Sequence, residues 1–418
     1  MTLKEELEIL RGEPIEVFTG DPMDIPCIET SDPDRLCKNP VVSVHMITYN
    51  HEPYIRQAIE GVMMQKTDFE FELVIGEDAS TDKTREICFE YQKKYPDKIR
   101  VLWWHENLYR NPHPAGGNSK RNLAHCRGEF IALCEGDDYW IDPLKLQKQV
   151  GVMRKYPNVG FCFGNARIVR KGRQDILWGS DCAWRSGIIS GRAFVFQHIF
   201  GARERGSWPT AKFLMTASVL FRREIVNKVL CRYEILRWRL LLGDTPLWLG
   251  LASFGDVYYL SDIVSVYNQL SAGFCGTFGD NVGRDGFIVR VYYLSELLKI
   301  PLTDLPLDWQ TKILQRMLCH SCRGKTVHQQ RKQILSLYHD ERVGGVGRAF
   351  KCVIGCVYLF GVGERFNRVM GWYSRYWIGD NWPSWLCETY ANYGFTPNFS
   401  PSTFVVRVVE GLRKKFGT

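Results

Sequence analysis

The chain has 418 residues, 45% of them hydrophobic and 24% charged, and a formal net charge of +8, which suits a soluble protein of one large domain with an appended region or of two modest ones. A charge that small and diffuse gives no argument for nucleic acid, and the longest apolar run, Cys352 to Gly363, falls well short of the roughly 20 residues that cross a bilayer. The 14 cysteines are scattered, and Cys88, Cys134 and Cys162 sit in apolar periodic segments, where thiols act as small hydrophobes, so a reducing compartment is expected.

Residues 1–40 are polar and broken by GEP, GDP, SDPD and KNP, which predicts a loosely attached arm. Its opening, MTLKEELEILRGEP, carries acids where an export signal needs a basic start, so no export signal is expected. From Val41 the pattern alternates. Apolar runs at Val41–Ile47, Phe71–Gly76, Ile99–Trp104 and Glu129–Cys134 are separated by helical spacing in YIRQAIEGVMMQ, DKTREICFEYQKKY and SKRNLAHCRG. Strands alternating with helices of that length predict βαβ units and a mostly parallel sheet with helices on both faces. Residues 159–268 read as further strands and helices, among them the helix DTPLWLGLASFG and the strand VYYLSDIVSVYN. From about Gly283 the spacing turns helical. The expected division is an arm (1–40), an α/β domain (41–270) and a mainly helical, basic and aromatic region (271–418).

Ligands of a parallel sheet bind at the carboxyl ends of its strands. Three such ends carry polar residues: Thr48-Tyr49-Asn50, Glu77-Asp78, and Glu135 to Asp138. Carboxylates gathered at one edge repel one another unless a cation compensates them, and hard oxygen ligands suit Mg²⁺ or Mn²⁺. Mg²⁺ is commonly held by one or two carboxylates plus substrate phosphates, so a nucleotide is implied. Asp142, just before Pro143, is the better cap for the following helix, which leaves Asp137 and Asp138 free of that duty. Asp82 or Thr81 is expected to cap the helix after the second strand, leaving Asp78 to accept hydrogen bonds from a base or ribose.

Four stretches, VSVHMITYNHEPYIRQAIEGVMMQ, FELVIGEDASTDKTREI, KRNLAHCRGEFIALCEGDDYWIDPLKLQKQV and GDTPLWLGLASFGDVYYLSDIVSVYN, resemble in order and spacing the bacterial-type family 2 glycosyltransferases of the GT-A fold. The resemblance spans about Val41 to Asn268. It implies a nucleotide-diphospho-sugar transferase fold, a Rossmann-like, mostly parallel mixed sheet. It further implies inverting transfer from a nucleotide sugar, a UDP-sugar first, to an acceptor hydroxyl, with Mn²⁺ or Mg²⁺ on the diphosphate. By that resemblance Thr48, Tyr49 and Asn50 border the nucleotide, Glu52 contacts ribose or base, and Asp78 reads the base. Arg121, with Lys120 beside it, contacts donor phosphates or base. Asp137 faces ribose or sugar and Asp138 the metal, with Asp137 and Glu135 as the secondary candidates for the metal. Glu135 stands where the family commonly has Asp, a departure that sets its place in the metal shell apart. Asp244 matches the acid that takes the acceptor's proton, although Asp before Thr-Pro is also a good helix cap. Asn268 replaces a family Arg, removing a charge from the loop that follows.

The rival readings are a metal-dependent nucleotidyltransferase and a catalytically inactive nucleotide-binding or scaffold protein. The first should show a basic glycine-rich loop after its first strand, which TYNHEPY lacks. The second would tolerate loss of Asp138 or Asp244, and both are present. No G-x-G-x-x-G follows the first strand, which removes dinucleotide binding. His45, His105 and His113 read as structural or flanking histidines. Cys319, Cys322, Cys352 and Cys356 read as core thiols rather than a zinc site. The basic aromatic stretch 343–418 suits either an anionic membrane surface or a basic face over a helical core. A glycan or lipid-linked acceptor in cell-surface polysaccharide synthesis is therefore expected, with the protein cytoplasmic or peripheral on the inner face of the plasma membrane.

Overall fold

The computed structural model describes residues 13–170, 172, 174–177, 186–200, 214–241 and 243–270, with scattered helical residues within 4–8 and 285–297. The loop after Leu270, most of the expected helical region, the basic aromatic stretch and the four C-terminal cysteines lie outside the described residues. Two compact units are distinguished, Ile15–Tyr293 and the pair Met1–Pro14 with Leu294–Thr418. Every strand and every expected site residue belongs to the first.

Four parallel strands form the centre of the sheet: β2 (Val42–Thr48), β3 (Phe71–Glu77), β4 (Ile99–Trp103) and β5 (Phe130–Leu133). All seven residues of β3 and all four of β5 are buried, as expected of strands covered on both faces. The covering helices are α1 (Ile55–Met63), α2 (Thr84–Lys94) and α3 (Asn118–Ala124). In α1 the buried Ile55, Ala58, Ile59 and Val62 recur at helical spacing and present one stripe to the sheet. The remaining helices are α4 (Lys145–Lys155), α5 (Gly191–Phe200), α6 (Arg223–Arg232) and α7 (Asp244–Phe254).

The sheet runs β1-β4-β3-β2-β5-β10-β7-β11-β6, with β8 (Ile176–Leu177) on β7 and β9 (Gly187–Ile189) on β11. Strand β10 (Val219–Arg222) is antiparallel to both neighbours, β5 and β7 (Val159–Val169). Strand β11 (Asp256–Asn268) is again parallel to β7, and β6 (Tyr139–Trp140) runs antiparallel on its far side. The architecture is the expected mixed, mostly parallel GT-A sheet. The reversal at β10 lies between the parallel strands β2–β5 and the parallel pair β7 and β11.

The expected loose arm is corrected from Ile15 onward. Strand β1 (Ile28–Thr30) pairs antiparallel with β4 and closes that edge of the sheet. Glu29 forms a two-pronged ion pair with Arg100, at 2.8 and 2.9 Å. Arg100 also reaches the fully buried Glu72, which in turn is held by Arg127 and by the Ser43 hydroxyl at 2.6 Å. Such a buried carboxylate is tolerated because each lone pair meets a donor.

Candidate functional site

Parallel register brings the three polar strand ends to one edge. Thr48 pairs with Glu77 across β2 and β3. The Asp78 amide donates to the Thr48 carbonyl at 3.1 Å, and the Gly136 amide to the Ile47 carbonyl at 3.0 Å. Position 136 requires glycine, since a Cβ there would stand 2.6 Å from Thr48 Oγ1 and 2.9 Å from His51 Nδ1.

The groups at the ends of β2 and β3 are bonded chiefly to one another. Asn50 adopts φ +53°, a conformation Asn accepts more readily than most residues. Its Oδ1 accepts the Thr81 amide at 2.8 Å while its amide donates to Ser80 Oγ at 3.0 Å. Asp82 precedes the cap position of α2, held by Lys83; its Oδ1 accepts the Thr84 amide and hydroxyl, and its Oδ2 accepts the Glu52 amide at 3.1 Å. Glu52 itself accepts the Lys83 amide at 3.2 Å. Thr48 is buried, its hydroxyl 3.2 Å from His51 Nδ1, and Tyr49 is half-buried beside it. Asp78 accepts the amides of Leu108 at 2.8 Å and Tyr109 at 3.3 Å, which pins the 107–116 loop over the edge. Burial raises its proton affinity, and those two amides oppose the rise.

Arg121 departs from expectation. It is fully buried, and its guanidinium donates to the carbonyls of Pro26, Glu77 and Leu102 and to Asn118 Oδ1. A planar fork with five donors suits this stapling; both terminal nitrogens meet protein acceptors, while the buried Nε has no hydrogen-bond partner. Lys120 is half-buried, its ammonium 4.4 Å from the centre of the Phe18 ring, and burial pushes it down to about 8.

The acids after β5 meet different surroundings. Glu135 has a buried oxygen, Oε2, without a hydrogen-bond partner. Burial first, then Asp137, pushes it up to about 8, and Asp244 adds to the rise. Asp138 is 3% exposed, and its Oδ1 accepts the Asn268 amide at 2.9 Å. Burial, then Asp137 and Glu135, holds its carboxyl well above the usual carboxylate range. The Asn268 side chain donates to the Asp137 carbonyl at 2.5 Å, so β11 clamps the acidic turn from both sides. Asp137 is the accessible member, its side chain 25% exposed and its Oδ2 3.8 Å from His51 Nε2. Asp138 is thus the buried member of the turn and Asp137 the more exposed one.

Asp142 accepts the Leu144 amide at 2.9 Å and pairs with Lys148, which confirms that Asp137 and Asp138 do not cap α4. Lys145, on the first turn of α4, supplies no counter-charge to the acids. It is fully buried, 4.1 Å from the Trp140 ring centre and bonded to Gln149, and burial pushes it down to about 7.

Asp244 is the first residue of α7, half-buried, with Oδ1 accepting the Thr245 amide at 2.6 Å. The residue before it, Gly243, occupies the cap position, so Asp244 is not the helix cap. Burial raises its proton affinity, and hydrogen bonds from Thr245 and the Thr216 side chain lower it. Asp244 in turn raises the proton affinity of Glu135, so the two acids feel each other's charge. His51 and Thr216 escaped assignment from the sequence, and Asn268 was marked only as a lost charge. His51, inside the loop that follows the first strand, carried a positional signal. Among the described residues no group of three or more His, Cys, Asp or Glu is gathered to hold a metal ion.

Residues 43–230 match the family described as Glycosyl transferase family 2. An uncharacterized protein of Mycobacterium tuberculosis strain H37Rv is 33% identical over 233 residues, 56% of this chain and 60% of its own. The putative teichuronic acid biosynthesis glycosyltransferase TuaG of Bacillus subtilis is 34% identical over 116 residues, 27% of this chain and 42% of its own. The chain thus spans about 60% of the length of the first curated relatives it matches. The crystal structure of S. aureus TarS in complex with UDP-GlcNAc aligns with a TM-score of 0.48 and 18% identity, covering 80% of this chain and 91% of that one.

Proposed function

Since residues 43–230 match the family described as Glycosyl transferase family 2, we propose that the chain's edge of acids transfers a sugar from a nucleotide-sugar donor, a UDP-sugar, to an acceptor hydroxyl with inversion. The observation that carries this reading is the acidic turn after β5. Glu135 keeps a buried oxygen without a partner and, with Asp138, is driven toward protonation by like charge and burial. A divalent cation fits such a turn, because Mg²⁺ or Mn²⁺ needs only one or two protein carboxylates when a diphosphate completes its shell.

Asp137, the exposed acid, is the residue we assign to that cation, with Asp138 holding the turn against β11. When bound, the cation would offset the charge that develops on the leaving diphosphate. Asn50, Asp78 and Glu52 line the nucleotide side. Asp244 is close enough to Glu135 for their charges to interact, and burial raises its affinity for a proton, which suits a base that accepts one from the acceptor hydroxyl. Inversion follows from a single displacement with one such base. The similarity to TuaG, whose name places it in teichuronic acid synthesis, favours a surface polysaccharide as acceptor. No described helix is long and apolar enough to cross a membrane.

The test is a thermal-shift screen of nucleotide sugars with Mn²⁺ or Mg²⁺, followed by transfer assays on Asp244→Asn. The variant is expected to bind donor and cation as the wild type does and to lose transfer. Failure of every nucleotide diphosphate to stabilise the wild type would remove the donor site, and undiminished transfer by Asp244→Asn would remove the base.

A further inference from the structure

A second reactive pair lies outside the acidic edge. Cys27, in the segment before β1, has Sγ 3.6 Å from Nε2 of His125. His125 follows the last turn of α3, and its Nδ1 is 2.9 Å from the Arg121 carbonyl. A carbonyl only accepts, so Nδ1 carries the hydrogen and Nε2 presents its lone pair to the thiol. The end of a helix favours the imidazolium that forms when that lone pair takes a proton. Both residues are half-buried, so solvent reaches them.

We propose that Cys27 and His125 form a thiol–imidazole pair that reacts with low-molecular-weight disulfides, making Cys27 a site of reversible S-thiolation. In the step, His125 Nε2 takes the proton from Sγ and the thiolate attacks one sulfur of R–S–S–R. The old S–S bond breaks, R–S⁻ leaves and takes up a proton, and Cys27 carries the mixed disulfide. The disulfide is itself the oxidant.

The electrostatic surroundings agree. The His125 bond holds the Cys27 thiol below its usual range, with burial opposing; Arg121 adds to the lowering and Glu29 resists it. The same bond raises His125 against burial and the nearby Arg100. The other described thiols offer an internal control. Cys88, Cys126, Cys134 and Cys162 are buried and pushed up by burial, whereas Cys231 is exposed.

The full-length chain is incubated with oxidised glutathione at about pH 7, and adducts are mapped by peptide mass spectrometry. Cys27 is expected to react about tenfold faster than the more exposed Cys231, and dithiothreitol to remove the adduct. His125→Asn should bring Cys27 to the rate of Cys231. On the wild type alone, the pH profile of iodoacetamide alkylation should turn over at lower pH for Cys27 than for Cys231. Equal or slower reaction of Cys27, a coincident pH profile, an adduct resistant to dithiothreitol, or an unchanged rate in a folded His125→Asn would each overturn the proposal.

Discussion

Acids crowd two neighbouring places on one sheet edge, after β3 and after β5, and the two places treat them in opposite ways. After β3, Glu77 is fully buried yet pairs with Arg85 at 2.5 Å and accepts the Ser80 amide at 2.6 Å. Asp78 and Asp82 are likewise supplied with amide donors. After β5, Glu135, Asp137 and Asp138 face one another with a histidine, a threonine and an asparagine, and no lysine or arginine forms an ion pair with them among the described residues. An acid that already has its donors shapes a loop. An acid left without them is pushed toward protonation unless a positive charge arrives.

The strongest way to break this contrast is Asp137→Ala. Loss of the outward carboxylate should lower transfer by at least about 100-fold, read as product formed at saturating Mn²⁺, with the unfolding midpoint nearly unchanged. Asp138→Ala should instead act through stability, because it frees the turn from β11. Equal effects of the two on cation affinity would erase the distinction between them.

Next in size is Arg121→Met. It strips donors from the carbonyls of Pro26, Glu77 and Leu102, and leaving buried acceptors unsatisfied costs about 1–3 kcal/mol each. Urea unfolding should show a large loss of stability. A stable variant that has lost only nucleotide binding would return Arg121 to the donor contact its motif suggested.

Asn268→Ala removes one bond, to the Asp137 carbonyl, while the backbone bond to Asp138 stays. A loss of about 1 kcal/mol is expected in the same unfolding measurement. Weaker cation binding should accompany it, because the acidic turn gains freedom.

A pH-dependent effect concerns Lys145, whose folded affinity for protons is lowered to about 7 from the ordinary 10.5. Between those values the unfolded chain binds more protons than the folded one, so this group's penalty is full below about pH 7 and fades as pH rises toward the unfolded value. Lys145→Met should therefore gain on the wild type at low pH, with the gain shrinking as pH rises. Parallel unfolding curves across that range would show that the lysine finds a counter-charge beneath the acidic turn after all.

The strands and their acidic ends were legible in the chain itself. Runs such as FELVIG and EFIALC announce buried strands by local chemistry, and the parallel-sheet rule then sends the residues after them to one edge. The helix cap at Asp142 could be read for the same reason, since a cap bonds within its own turn. Edge strand β1 could not, because three residues with turn signals on both sides carry no period.

Local pattern decided which residues reach the edge, and the tertiary structure decided which way they face. Nothing in KRN tells whether Arg121 looks toward a phosphate or inward to three carbonyls, because those carbonyls come from separate strands and loops. Asp137 and Asp138 are adjacent and alike, and what separates them is Asn268, 130 residues away from Asp138. Glu135 and Asp244, far apart in the chain, feel each other's charge only in the folded sheet. Charge at a strand end is a property of sequence, whereas its compensation depends on partners that only folding brings near.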